Sequence, residues 1–247
     1  MIPSDSTKNR IVAAVFLLFS IVFYGCEKLD RKEQIPSFIH IDHIDLLDNT
    51  LINEGTLSSN IVDAWVYVDD NLVGAFEMPC TIPLLYEGEH TIDVRAGIYL
   101  NGIKTTRVYY PFYRTYTVEK ELVPDSVITL SPVVRYEEQS VIQWNEDFEI
   151  GGVTLENAPS SDTSIKKTTL TEEVFEGNYS GKVVLNDSQE TWFASTISEY
   201  VLPQSGANVF LEVNYKTTTS FVVGVFANKP AQVLQLEVAG VLPSDEW

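Results

Sequence analysis

The chain has 247 residues, with 35 acidic against 16 basic side chains and a formal charge of −19 at pH 7. A surface this acidic is repelled by phosphate backbones and anionic headgroups, which excludes nucleic acid as a natural partner and electrostatic attraction as a route to a membrane. With 45% hydrophobic and 11% aromatic residues the chain is globular rather than disordered, and long enough for one large or two ordinary β domains.

The first element is an apolar run, Ile11 to Tyr24, that follows a polar stretch carrying Lys8 and Arg10 and is closed by Gly25-Cys26. The run has the length of a signal-peptide core and falls short of the roughly 20 residues a spanning helix needs. A small residue before a cysteine resembles the lipoprotein signal class, in which a peptidase cleaves before a diacylglycerol-linked cysteine. That resemblance implies a signal peptide over residues 1–25, a lipidated, palmitate-bearing Cys26 and a cell outer membrane location. The pair Phe23-Tyr24 departs from the usual Leu and small residue of that class. Cleavage leaves 14 basic and 34 acidic residues, so membrane contact has to come from the lipid. Cys80 is then without an intramolecular partner and is expected to be buried as a small apolar residue. The charged stretch that follows Cys26 suits a flexible tether over 26–36, and Glu27-Lys28-Leu29-Asp30 resembles surface-export signals of envelope lipoproteins. Periplasmic and outward-facing placements both stay open.

From Pro36 to Val134 the sequence reads as short strands rich in Val, Ile, Tyr and Thr, broken by Gly, Asn, Asp and Pro, with no helical period. Ala64–Asp69 alternates into Asp70-Asn71, a pair suited to a tight turn, and Leu72–Phe76 returns. Thr91–Ile98, Lys104–Tyr110, Tyr113–Leu122 and Ser126–Val134 complete an all-β domain over 37–136, of immunoglobulin-like dimensions.

Val66-x-Val68-Asp69-Asp70-x-Leu72-Val73-Gly74, then Pro79-x-x-Ile82-Pro83-Leu84, then Gly88-x-His90-x-Ile92-x-Val94 resembles the small envelope β-sandwich modules of the PEGA type. The spacer between Gly74 and Pro79 is longer than in that pattern. The resemblance implies a fold and no activity.

Glu137-Glu138-Gln139 reads as a polar linker, and a second β region spans 137–247. Val141–Glu149, which contains Glu146-Asp147-Phe148-Glu149, and Tyr179–Leu185 resemble the opening strands of carbohydrate-binding-module jelly rolls. Further strands are expected at Trp192–Tyr200, Val209–Lys216, Phe221–Ala227 and Ala231–Ala239. That family continues past a Trp such as Trp247 into closing strands, so the jelly roll is expected to be truncated. The resemblance also implies a structural calcium ion, with Glu146, Asp147 and Glu149 supplying the first part of its site. Signal, sandwich and second region together resemble two-domain lipoproteins of Gram-negative envelopes.

Few residues point to catalysis. His40-Ile41-Asp42-His43 invites a metal reading, yet on a strand His40 and Asp42 share one face while His43 points away. His90 fits a strand-entry position with a structural role. A glycosidase pair could be sought among Glu146, Asp147, Glu149 and Glu156, but nothing fixes a separation in so acidic a chain. G-x-S-x-G, H-E-x-x-H and G-x-x-x-x-G-K-[ST] are all missing from the sequence. Five aromatics crowd Val108–Tyr116, and strict alternation puts Tyr110, Phe112 and Tyr116 on one face, leaving Tyr109 and Tyr113 as a candidate aromatic binding surface. The expectation is a non-catalytic, membrane-anchored binding or scaffold lipoprotein of the cell envelope, with a glycan or an envelope protein as partner of the jelly roll. The alternatives are a structural subunit of an envelope protein assembly or a glycan-acting hydrolase.

Overall fold

The computed structural model describes residues 33–52, 54–188, 190–203, 206–229 and 232–247. Cys26 and the signal segment lie outside the described residues. No described helix is long and apolar enough to cross a membrane.

The protein is all-β. Its strands in chain order are β1 (Ser37–Ile41), β2 (Asp45–Leu46), β3 (Asp63–Val68), β4 (Asn71–Glu77), β5 (Cys80–Leu84), β6 (Gly88–Tyr99), β7 (Arg107–Tyr109), β8 (Tyr116–Leu122), β9 (Val127–Leu130) and β10 (Val133–Val134). Beyond the linker follow β11 (Leu155–Asn157), β12 (Lys166–Thr168), β13 (Ser180–Lys182), β14 (Ala194–Thr196), β15 (Phe221–Lys229) and β16 (Gln232–Val241).

The first ten strands make a sandwich. One sheet runs β4-β3-β6-β7, with β8 pairing the N-terminal half of β6 on the side where β7 pairs its C-terminal end. The other runs β5-β1-β9, with β1 antiparallel to β5 and parallel to β9, and β2 and β10 prolong that parallel pairing as a short ladder. Period-two alternation decides which side chains enter the core. Ala64, Val66 and Val68 of β3 and Ile92, Val94 and Ala96 of β6 point inward and meet Ile39, Ile41, Ile82, Leu84 and Leu130 of the facing sheet. All buried apolar residues among those described lie between Ile39 and Tyr136.

The β3–β4 turn is centred on Asp69-Asp70, both at positive φ (48° and 64°), one residue earlier than Asp70-Asn71. Val68 pairs Asn71 directly, so two residues close the loop, and the Asn71 side-chain amide donates to the Asp69 carbonyl at 2.9 Å. The extra length before Pro79 prolongs β4 to Glu77, with a register shift at Val66/Tyr67. Pro83 masks β5 in the sequence. Pro83 is tolerated there because β5 is an edge strand that pairs with β1 alone.

Residues beyond the linker are paired two by two, β11 with β14, β12 with β13 and β15 with β16, all antiparallel. The strand expected over Val141–Glu149 is not formed. Glu146 accepts hydrogen bonds from the Phe148 and Thr154 amides (2.8 and 2.5 Å), and Asp147 accepts one from the Glu149 amide (2.9 Å). Side-chain oxygens thereby take N–H groups that a ladder would use. Val209–Lys216 is not a strand either, and Thr217 makes only an isolated bridge to Ser244.

Candidate binding surface

The outward face of the five-stranded sheet is built by the residues that alternate with the core. In β3 these are Asp63, Trp65 and Tyr67, and in β6 they include Asp93, Arg95 and Gly97. Trp65 stands directly opposite Arg95, Tyr67 opposite Asp93, and Gly97 opposite Tyr109 of β7. Tyr67, Arg95 and Tyr109 therefore form a diagonal row over three neighbouring strands. Long side chains reach one another across such diagonals.

The Arg95 guanidinium lies over the Tyr67 ring at 4.5 Å and over the Tyr109 ring at 5.3 Å from the centroids. Trp65 packs edge-on against Tyr109 at 5.9 Å. Its indole rests on Gly97, where an added Cβ would come within 2.8 Å of it, so the backbone there has to be bare. Tyr109 is 41% exposed, and Trp65, Tyr67 and Arg95 are half-buried. The Trp65 Nε1 and the Arg95 Nε are both buried without a hydrogen-bond partner.

Below this row sits an ionic cluster. Asp63 is fully buried on the outward face and accepts a hydrogen bond from Arg107, whose other terminal nitrogen donates to Glu77 at 2.7 Å. The second Asp63 oxygen has no partner. Burial pushes the Asp63 carboxyl above its usual range against the pull of Arg107.

Residues 55–126 match the PEGA domain family. The match spans β3 to β8 and includes all the motif residues from Val66 to Val94. No curated protein and no solved structure matches the chain. A PEGA domain points to a binding or structural module, and its outer sheet face carries the side chains just described.

The candidate pair Tyr109 and Tyr113 is separated by the structure. Pro111 and Phe112 form a turn, so alternation stops at Tyr110. Tyr109 stays on the outer face of the PEGA domain, while Tyr113 packs on Tyr110 (4.6 Å) and Tyr136 (4.9 Å). The Tyr110 and Tyr136 hydroxyls both donate to the Glu212 carboxylate, and Phe210 packs on Tyr110 at 5.1 Å. Burial raises all three phenols, Tyr113 to about 12, so they remain donors at neutral pH. This clasp joins the sandwich to the segment before β15.

The carboxylates proposed for calcium are not gathered round one point. Glu146 and Asp147 serve their own loop, and Glu149 accepts from the Asn178 and Tyr179 amides (2.7 and 3.0 Å) at the start of β13. At Glu146 burial pulls the carboxyl up, but the Thr154 and Phe148 hydrogen bonds together hold it below the ordinary range, and at Glu149 the Asn178 side-chain amide (3.0 Å), aided by the two backbone amides, does the same. Glu156 lies in β11, opposite Ser195. Among the described residues no group of three or more His, Cys, Asp or Glu is arranged for a metal. His40 meets Thr81 across the sheet at 2.9 Å, and His43 meets Asp42 and Asp45. His90 is locked between the Asp69 carboxylate (2.6 Å) and the Glu87 carbonyl (3.1 Å), pinning the β3–β4 turn to β6. Cys80 is half-buried against the core, and burial raises its thiol. An open cleft of about 380 Å3 lies beside the linker, lined by Ile52, Ser140, Ile142 and Trp144. Its only buried polar atom without a partner is the Ser140 hydroxyl oxygen.

Sequence reasoning missed Trp65, Tyr67 and Arg95 as a group. The signal was present in the alternation of β3, because once Ala64, Val66 and Val68 are assigned to the core, Trp65 and Tyr67 must face out.

Proposed function

We propose that the protein is a non-catalytic lipoprotein of the cell envelope, anchored through Cys26 to the outer membrane, whose PEGA domain is a binding module working through its outer sheet face. The observation that carries this reading is the Tyr67–Arg95–Tyr109 stack beside Trp65, an aromatic and cationic surface on which the Arg95 terminal nitrogens have no partner among the described residues. Interfaces and ligand sites concentrate such side chains. The non-catalytic reading is supported by Glu146, Asp147 and Glu149, whose oxygens are engaged by backbone amides of their own and neighbouring loops. Residues 137–247 act in this reading as a second β module of jelly-roll type, joined to the first by the Glu212 clasp.

The anchor is tested by labelling cells with radioactive palmitate. Wild-type protein is expected to incorporate label and partition into detergent, and Cys26→Ala to lose both properties. Acylated Cys26→Ala protein would refute the anchor.

A second reading, a structural subunit of an envelope assembly, is favoured by the β15–β16 hairpin. It exposes Val222, Val225, Phe226, Val233, Leu236 and Val238. Apolar surface on this scale marks protein contacts.

A further inference from the structure

Arg95 differs from the other described arginines. Arg107 bonds Asp63 and Glu77, Arg114 bonds Glu138, and Arg135 bonds the Asp48 carbonyl. Among the described residues Arg95 has neither a hydrogen-bond nor an ion-pair partner, and its guanidinium lies against the two tyrosine rings. Scarcity of carboxylates is not the cause in a chain with 35 of them. Its neighbour on the same face of β6, Asp93, is committed to the Thr117 hydroxyl at 2.5 Å.

The stack fixes the plane of the guanidinium. Nε is covered, and the two terminal nitrogens, also without partners, are not among the buried atoms. An oriented fork of this kind matches a carboxylate with two parallel hydrogen bonds, and stacking on rings lowers the entropy lost in forming them. Beside it, Trp65 and the exposed Tyr109 offer apolar ring surface.

On these grounds, and resting on the reading of the PEGA domain as a binding module, we infer that its outer face binds a glycan through a carboxylate-bearing sugar, the sugar ring packing on Tyr109 and Trp65 and its carboxylate meeting Arg95. An extended peptide is the poorer occupant. Peptides that dock on sheets pair with an edge through their main chain, whereas Trp65, Tyr67 and Arg95 stand on the inner strands β3 and β6, whose backbone groups are already bonded, and Tyr109 alone of the four lies on the edge strand β7. A densely charged polyanion is disfavoured as well, because the chain carries −19 overall while the face offers one unpaired cation. Carboxylates spaced along an otherwise neutral sugar chain satisfy both conditions.

The test uses the full-length protein and oligosaccharides in which a uronic acid alternates with a neutral N-acetylated sugar, compared with the same oligosaccharides after reduction of their carboxyl groups. Calorimetry is expected to show binding of the acidic form and affinity weaker by about tenfold for the reduced form. Arg95→Gln should weaken the acidic form by about the same factor and leave the reduced form unchanged. Tyr109→Ala should weaken both. Arg95→Lys, which keeps the charge but loses the planar fork, should resemble Arg95→Gln, and circular dichroism confirms that each variant folds. Equal affinity for the two forms, indifference to Arg95→Gln, absence of binding to either, or tighter Arg95-dependent binding of a peptide carboxylate would each overturn the inference. Palmitate labelling of Cys26 is read separately. A labelled protein that ignores the oligosaccharides loses the ligand and keeps the anchor, and an unlabelled one that binds them loses the anchor and keeps the ligand.

Discussion

Replacing Arg107 with Ala should destabilise the protein through Asp63 rather than through the arginine itself. Asp63 has no solvent exposure, one of its oxygens depends on Arg107, and the other already lacks a partner. Without the guanidinium, a carboxylate stays in the sheet with nothing to offset its lost hydration. Breaking buried pairs from one side costs 3–5 kcal/mol, and the cost on Asp63 should sit near the lower end, about 3 kcal/mol, because the arginine that leaves is itself partly solvated. The variant has a second signature. Burial already holds the Asp63 carboxyl above its ordinary 3.8, and Glu77 adds to the rise, so losing Arg107 raises it further. A raised acid takes up its proton more readily in the folded state. The penalty is therefore full above the folded pKa and shrinks as pH falls towards 3.8, by up to about 1.4 kcal/mol per unit. Urea denaturation followed by circular dichroism near pH 7 and near pH 5 reads both quantities. Asp63→Asn, which removes the charge but keeps an acceptor for Arg107, should cost much less than Arg107→Ala at neutral pH. A loss below about 1 kcal/mol for Arg107→Ala, or equal losses for the two variants, would show that the pair does not depend on burial in this way.

Two other positions give separable outcomes. Both His90 nitrogens face acceptors, an arrangement that favours the protonated ring, and its pKa is raised chiefly by the Asp69 hydrogen bond, which in turn lowers Asp69. Stability from this contact is complete below the unfolded value of 6.5 and is lost as pH rises through the raised folded value, so His90→Ala should lower the melting temperature more at about pH 5.5 than at about pH 9. An equal drop at both would refute the ionic role. Glu212→Ala removes the acceptor shared by Tyr110 and Tyr136 and should loosen the segment carrying Phe210 by about 1–2 kcal/mol, seen as faster amide exchange there without global unfolding. Unchanged exchange would mean that ring packing alone holds the segment.

The sandwich was legible because its strands alternate and its turns carry their own chemistry. Ala64, Val66 and Val68 can only be one face of a half-buried strand, and the polar run after them signals the left-handed backbone a two-residue loop requires, although Asp69-Asp70 rather than Asp70-Asn71 adopts it. Two kinds of element escaped. β5 carries Pro83, a residue whose meaning depends on whether the strand is an edge, and edges are set by partners distant in sequence. The stretch 141–149 has strand-like letters, yet its Asp and Glu side chains capture nearby amides, a local competition that periodicity does not register. The candidate surface was half visible for a related reason. Tyr109 follows from aromatic density, but its separation from Tyr113 needs the turn at Pro111, and its partnership with Arg95 and Tyr67 needs the pairing order β3-β6-β7.

The pairing of β1 has a mechanical consequence. The residues that lead back towards Cys26 enter the fold at Ser37, and β1 is hydrogen-bonded to β5 on one side and to β9 on the other. Those bonds lie across the strand, so tension applied to the chain on the N-terminal side of Ser37 loads them together in shear instead of opening them one after another. The strand by which the chain enters the sandwich is therefore also a seam that resists pulling from that end.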